Sequence, residues 1–507
     1  MFGPMPRQLA LLIALAALPR THALAQCPDG TPPPCRTASA RSRAAAPTSV
    51  AVLPFDNRSP DASDSYLAEG MTDEIANQLS RLGRLQVRAR PLVDAQWRRT
   101  PDVLETARRL SVAWVVHGYV RHAGAQLLVY VELIRVATGE EAWGTRFPRP
   151  SADVFAVQAE VAESVAVAVG GRLSPGERAV LARRPTRNND AYRLHLLGNS
   201  LLSRRTAEET ERAIAAYTEA TRLDPSFGAA WARIALARTA QTGFGYSALP
   251  RDSILALGWD AVRRALAIDS NSAETRLAEG AMAAESQDLG RAHERLLQAV
   301  RLDSTNDEAW AQLGVVYGYV LDSARSERAM RRALELNPDR RLSWLYLYLV
   351  RFYFGHVREA GAVLDTLRAL GPWGPAFSRT AEVRFLLGDG AGAIAAHDER
   401  ERIEGRQSPF ERARLLIATG DSAPARAQLA LVRAQADSGG AVHAAMARMA
   451  MSLGLREEAL AALERMGPEL TIQSRWIGVH DPLFTPLHSD PRFQRLLEAA
   501  RPRVPWQ

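Results

Sequence analysis

The chain repeats itself at an interval that few folds can use. The pattern Ala-x-x-(Leu/Ile)-(Asp/Asn) begins at Ala220, Ala265, Ala299 and Ala333, and the last two intervals are each 34 residues. Trp310 and Trp344 keep that interval, and Trp231 follows Asp224 by the same seven residues that separate Trp310 from Asp303 and Trp344 from Asn337. A period of this length describes a helix–turn–helix unit too small to bury its apolar face alone, so consecutive units must stack. A stacked array offers a long concave surface, which suits binding better than chemistry.

Within the unit spanning 307–340, Trp310, Leu313, Gly314 and Tyr317 recur at helical spacing on a first helix. Gly314 removes a side chain where the second helix must come close. On that second helix Met330 and Ala333 share a face, and Asn337-Pro338 stops it because proline cannot continue a helix. The pattern resembles the tetratricopeptide repeat, and the resemblance is carried by the units that end at Pro225, Asp303, Pro338 and Pro372. The first unit starts near Ala191 with about three extra residues between its helices, and the second has about eleven inserted around 241–252. Turns at Leu387-Gly388-Asp389, Ala418-Thr419-Gly420-Asp421 and Leu453-Gly454-Leu455 extend the series to about eight units over 191–470, with a capping segment at 471–507.

The amino terminus has the form of an export signal. Arg7 precedes an apolar run at 9–18, and Ala23-Leu24-Ala25 offers a small-x-small cleavage site before Gln26. Ten apolar residues are too few to span a bilayer, and Gln26 is too large for the position before a lipidated cysteine. The chain's two cysteines, Cys27 and Cys35, flank a proline-rich stretch just beyond that site. Export to an oxidising space and an even, closely spaced pair argue for a small disulfide loop. A metal site would need further ligands nearby. Residues 26–48 therefore read as a linker, and the mature chain as periplasmic or secreted, with no transmembrane segment.

Charge does not point to nucleic acid. The formal net charge is +7, and removing residues 1–25 with Arg7 and Arg20 leaves 61 basic against 56 acidic residues, or +5. Every basic residue is Arg, and the charges are interspersed rather than gathered into a stripe. Nucleic-acid binding needs a basic footprint and a reading element, and the sequence has neither.

Between residues 49 and 173 the pattern changes to short β-rich runs alternating with helical ones. Strands are expected at 49–55, 85–87, 112–120, 126–136 and 140–147, and helices at 65–82, 101–110 and 151–173. This describes a small mixed-sheet α/β domain, joined by a linker at 174–190 to the all-α array. Val52-Leu53-Pro54-Phe55-x-Asn57, the run Tyr66-Leu67-Ala68-Glu69-Gly70-Met71-Thr72-Asp73-Glu74-Ile75, and Thr138-Gly139-Glu140-Glu141-Ala142-Trp143 resemble the TolB amino-terminal-like (FlgO-like) domain. The resemblance implies a bacterial multidomain protein in which such a domain precedes tetratricopeptide repeats. In relatives it often follows a cyclase, kinase or winged-helix module, a place taken here by the signal sequence.

Few residues suggest chemistry. Asp56, Asn57 and Asp73 mark a possible small-ligand loop, since open α/β sheets place ligands at the carboxyl ends of strands; turn formation and helix solvation explain them as well. Gly388 to Ala393 looks like part of a phosphate loop but sits between helices and lacks the Lys-Ser/Thr that holds phosphate. The ten histidines form no metal-ligand spacing, and Asp481-Pro482 and Asp490-Pro491 read as helix starts. No catalytic group, metal or cofactor is expected. The helix at 342–354 is apolar on more than one face. The repeat resemblance turns Leu345, Leu349, Phe352 and Tyr353 toward the concave wall, joined by Val315 and Tyr319 from the preceding unit. A helix of this kind is either buried or in contact with a partner.

The expected function is therefore an exported, non-enzymatic scaffold that binds a protein or peptide in the cell envelope. One alternative is a sensory or regulatory component of a bacterial signalling system; the other is an enzyme or small-ligand binder that uses the α/β domain. Intact-mass analysis of periplasmic material should show a chain starting at Gln26 and two hydrogens lighter than its reduced form. A full-length mass, or two alkylatable thiols, would refute the export reading.

Overall fold

The computed structural model describes residues 48–150, 154–182, 184–203, 206–242, 247–435, 440–466, 480–500 and 504. The expected signal sequence and the Cys27–Cys35 pair lie outside these residues. The described chain is a small mixed-sheet α/β domain followed by an all-α repeat array that resembles tetratricopeptide proteins.

The sheet begins with β1 (Ser49–Val52), whose four residues are all buried. Val50 and Val52 face one core, while Ala51 and the following Leu53 face another, as the two-residue period of a strand requires. With both faces covered, the strand reads as a continuous apolar run rather than an alternating one. It lies parallel to β3 (Gln86–Val87) on one side and to β4 (Trp114–Ala123) on the other. After Leu53-Pro54-Phe55 the chain rejoins β4 as β2 (Asp56–Asn57), opposite Tyr119 and Val120. β4 then runs antiparallel to β5 (Gln126–Arg135), and β5 to β6 (Glu140–Pro150), giving the order β3-β1-β4-β5-β6.

Helix α1 (Ser65–Arg81) buries Leu67, Met71, Ile75 and Leu79, the face expected from sequence, against the sheet and α4 (Val154–Gly170). The opposite face is covered by α2 (Arg90–Arg99) and α3 (Val103–Arg109). The sequence reading did not find α2. Only Val93 and Ala95 of its ten residues are buried, too few to give a visible helical period. Asp102 caps α3 by accepting the Glu105 N–H at 2.7 Å.

The array is built of eight helix pairs among the described residues. They are α6 (Asn189–Ser203) with α7 (Ala207–Leu223), α8 (Gly228–Gln241) with α9 (Arg251–Ile268), α10 (Ala273–Glu285) with α11 (Leu289–Leu302), and α12 (Asp307–Tyr319) with α13 (Ser323–Leu336). Then follow α14 (Arg341–Tyr353) with α15 (Val357–Ala369), α16 (Gly374–Leu386) with α17 (Gly390–Glu404), α18 (Pro409–Leu416) with α19 (Ala423–Arg433), and α20 (Gly440–Ser452) with α21 (Arg456–Arg465). A short α5 (Pro175–Leu181) precedes them and α22 (Pro491–Ala500) closes the chain.

The sequence signature of the repeat has a physical origin in its turns. Asp224, Asp269, Asp303 and Asn337 each end a helix in an extended conformation, with φ between −146° and −140°. Each N–H still reaches the alanine carbonyl four residues back, at 2.8–3.0 Å. The aspartates then accept the N–H two residues on, at 2.9–3.0 Å in all three cases, a local bond that starts the turn. The tryptophan seven residues later returns to that turn. Trp231, Trp310 and Trp344 donate their indole N–H to the carbonyls of Pro225, Ser304 and Pro338 at 3.1, 3.1 and 2.7 Å. Gly314 is required by packing, since a Cβ there would lie 2.9 Å from Met330 of α13.

The α/β domain and the array share one core. Val52, Met71 and Val161 of the domain belong to the same cluster as Ala191, Tyr192, Leu196, Ala220 and Phe227 of the first repeat. Gly70 on α1 leaves room for Leu196 on α6; a Cβ at Gly70 would lie 2.4 Å from its Cδ1. The connecting stretch is tied down as well. The buried Thr186 hydroxyl donates to the Asp224 carboxylate, and Asn188 donates to the Leu223 carbonyl at 3.2 Å. Farther along, Arg98 and Arg99 of α2 reach Asp339, between α13 and α14, at 2.7 and 3.4 Å. The stretch read as a linker at 174–190 thus contains α5 and is bonded to the end of α7.

His195 on α6 is buried at this junction among Tyr192, Tyr217 and Phe227. Burial, reinforced by the positive charge of Arg233, holds its imidazole down to about 3. The folded state thus resists a proton that the unfolded chain accepts near 6.5. Stability is full above that range and should fall by roughly 1 kcal/mol per pH unit as the pH drops toward 3. Urea unfolding at pH 7 and pH 5 should show this loss, and His195→Phe should lessen it, the remainder coming from His480, His397 and His293, whose imidazoles burial also holds down.

Candidate partner-binding site

Successive first helices of the repeats touch one another, with α10 against α8 and α12, and α12 against α14. They form an inner row, and the residues expected to bind a partner lie on it. The structure separates these residues into two groups. Phe352, Tyr353 and Val315 are core side chains, with Phe352 only 2% and Tyr353 only 6% exposed. Phe352 packs against Tyr348 at 5.3 Å and edge-on to Tyr353 at 5.2 Å between ring centroids. Leu345, Leu349 and Tyr319 are half-buried at the edge of the same cluster.

The placement of Phe352 and Tyr353 on an open wall is therefore corrected. Repeat spacing fixes which way a helix face points but not what later segments of the chain lay over it. Here α15 and α16 supply apolar cover, with Leu364, Leu367, Ala376 and Val383 in the same cluster, and charged groups lie close by. Burial pushes the Tyr353 phenol up to about 12, and the charges of Arg379, Asp481, Arg448 and Glu382 all act on it.

Those charges form a network that sequence reasoning missed. Arg414 of α18, 1% exposed, donates to the buried Glu382 of α16 through both terminal nitrogens and to Glu411 at 3.1 Å. Arg448 of α20 donates to Glu382 at 2.9 Å and to the fully buried Asp481. Burial works against the charge of Glu382, yet Arg414 and Arg448 hold its carboxyl below the usual carboxylate range. Likewise burial opposes the charge on Arg448, and Asp481 with Glu382 keeps it protonated. The expected capping roles are present, since Asp481 accepts the Leu483 N–H at 3.0 Å and Asp490 the Arg492 N–H at 2.7 Å. The second use of Asp481 left no local trace, because its partners lie 33 and more residues away.

The small-ligand loop does not converge. Asn57 holds its own turn, donating to the Asp61 carbonyl at 3.3 Å and accepting the Ser59 N–H at 2.9 Å. Asp56 lies 3.7 Å from Arg58, while Asp73, on α1, pairs with Arg90 of α2 at 2.9 Å. Among the described residues no group of three or more His, Cys, Asp or Glu side chains could hold a metal. A crevice of about 540 Å³ between α13, α14 and α15 is lined by Leu334, Trp344, Leu347 and Val363, with Arg331 and Arg351 at its rim.

Phe352→Ala should cost about 3–5 kcal/mol of folding stability, as large-to-small core changes do. Leu345→Ala, at a half-buried position, should cost much less. Denaturant unfolding of the two variants measures the difference, and equal small losses would return Phe352 to the surface.

Comparison with known proteins gives the following. Residues 46–158 match the family described as HilA/YgeH-like transcriptional regulator, second domain. A putative adenylate cyclase 3 of Rhizobium meliloti (strain 1021) is 32% identical over 204 residues, covering 40% of this chain and 35% of that protein. The chain thus spans about a third of the length of that curated relative. Among solved structures, Pseudomonas aeruginosa PilF is similar at 20% identity over 43% of this chain and 93% of its own, with a TM-score of 0.33. A chain of the APC/C hetero-tetramer Cut9–Hcn1 is similar at 14% identity over 69% of this chain and 63% of its own, with a TM-score of 0.42.

Proposed function

We propose that this chain is a non-catalytic, protein-binding component of a bacterial signalling system, exported to the periplasm or beyond the cell. The observation that carries the reading is the shared core. A small α/β domain of the kind found in a family of transcriptional regulators is fused through Leu196 and Tyr192 to a helical array. A domain joined in this way is suited to alter, or be altered by, what the array holds. The similarity to a putative adenylate cyclase over 204 residues supports a place in signalling. The motif resemblance of residues 49–173 to the TolB amino-terminal-like domain agrees with this reading.

Asp56 and Asp73, expected to mark a ligand loop, go to ion pairs with Arg58 and Arg90, so their placement does not favour catalysis. The partner surface assigned to the array is the half-buried set Leu345, Leu349 and Tyr319.

Purified chain incubated with ATP and Mg²⁺ should form no cyclic AMP, whereas a membrane-spanning cyclase, kinase or transcription regulator of its own cell should bind it through its envelope-exposed part and change in activity. Cyclic AMP made by the chain alone would sink the reading, as would the absence of any effect on such effectors. Leu345→Ala with Leu349→Ala should weaken that binding by about 1–2 kcal/mol and leave the thermal midpoint nearly unchanged. A large fall in the midpoint would place both leucines in the core.

A further inference from the structure

The charges on the inner row do not balance until a separate segment supplies one. Helices α16, α18 and α20 bring together Arg379, Arg414 and Arg448 but only two carboxylates, Glu382 and Glu411. Arg414 is satisfied by both carboxylates, while Arg448 divides its donors between Glu382 and Asp481. Arg379 has no hydrogen bond or ion pair among the described residues, though it faces Tyr348, Tyr353 and Glu382. The helices alone therefore present one uncompensated positive charge. Inside a protein such a charge is costly unless it is paired.

Asp481 supplies the missing carboxylate from a compact turn. Its Oδ1 accepts the Leu483 N–H at 3.0 Å and its carbonyl accepts the Phe484 N–H at 2.9 Å, so the turn is held by its own bonds. Just beyond the carboxylate, Leu483, Phe484 and Leu487 are buried in a cluster with Met446, Met449 and Ala450 of α20. The carboxylate side reaches Arg448 on α20, which in turn holds Glu382 on α16, two repeats back. Repeat helices pack chiefly on their neighbours. This turn packs on α20 and is linked to α16 through Arg448.

We propose that the inner surface from α16 to α20 is a docking site for an acidic turn of the form Asp-Pro-Leu-Phe, and that the chain's own residues 481–487 occupy it as an internal competitor. The partner is a protein segment that presents one carboxylate to Arg448 and two apolar side chains to the methionines of α20. The proposal rests on the reading of the array as a protein-binding surface. It adds where the partner docks, by what chemistry, and what must leave first.

The test uses the full chain and a fluorescein-labelled peptide copy of residues 480–490. A tethered segment competes at an effective concentration of about 1 mM, so wild type should bind the peptide weakly. Asp481→Ala in the chain should raise the affinity about tenfold or more. The gain should vanish for a peptide carrying Asp481→Asn. Equal binding by wild type and Asp481→Ala, or by the two peptides, overturns the proposal. Should Asp481→Ala not fold, amide exchange on wild type decides. Unlabelled peptide at about 1 mM should speed exchange at residues 481–487, and unchanged exchange overturns the proposal. If the chain still binds its signalling partner while both peptide tests fail, the docking site is wrong and the broader function stands.

Discussion

The close approach of Leu196 to Gly70 holds the two parts of this protein together. It lets α6 lie on α1, so the apolar face of the first repeat is covered by the α/β domain. A solenoid's terminal repeat always has one face without a neighbour. Here that face is closed by a folded domain rather than by a polar cap. The buried His195 and Tyr192 and the tied Thr186 and Asn188 lie at this joint, and the ion pairs from α2 to Asp339 add a second tie farther along the array. A side chain at Gly70 would strike at this joint before it disturbed either fold.

At the far end of the array the solution is different. The last described repeats close on a cluster that joins α20 and α21 to the turn at 482–487 and to α22, with Phe484 and Phe493 at its centre. Beside that cluster lies the Glu382, Arg414, Arg448 and Asp481 network. Buried ion pairs of this kind add little net stability compared with apolar packing, but losing one partner leaves a charge stranded. Such a network is therefore selective: it accepts a carboxylate at that point and penalises its absence. Both ends are thus sealed by hydrocarbon, and the far end adds a buried charge network beside it.

Much of this was legible in the residues. The alanine and aspartate spacing located four helix ends, because each uses the same backbone bond and three of them the same side-chain bond. The tryptophan interval reflects an indole bond to the preceding turn, repeated three times. In the α/β domain the amphipathic face of α1 was visible because its buried residues recur every three to four positions. Helix α2 was not visible, since a polar helix touching the core at two points carries no period.

What the sequence determined alone was local and periodic: the mixed-sheet domain, the stacked helix pairs and the turns between them. Spacing within 34 residues encodes these features because the bonds that make them reach no farther. Tertiary structure decided what covers what. It put Phe352 and Tyr353 inside rather than on a wall, set Leu196 over Gly70, and brought Asp481 to Arg448. Those contacts join residues from 33 to more than 120 positions apart. No periodicity relates such residues, and only the path of the folded chain brings their charges and surfaces together.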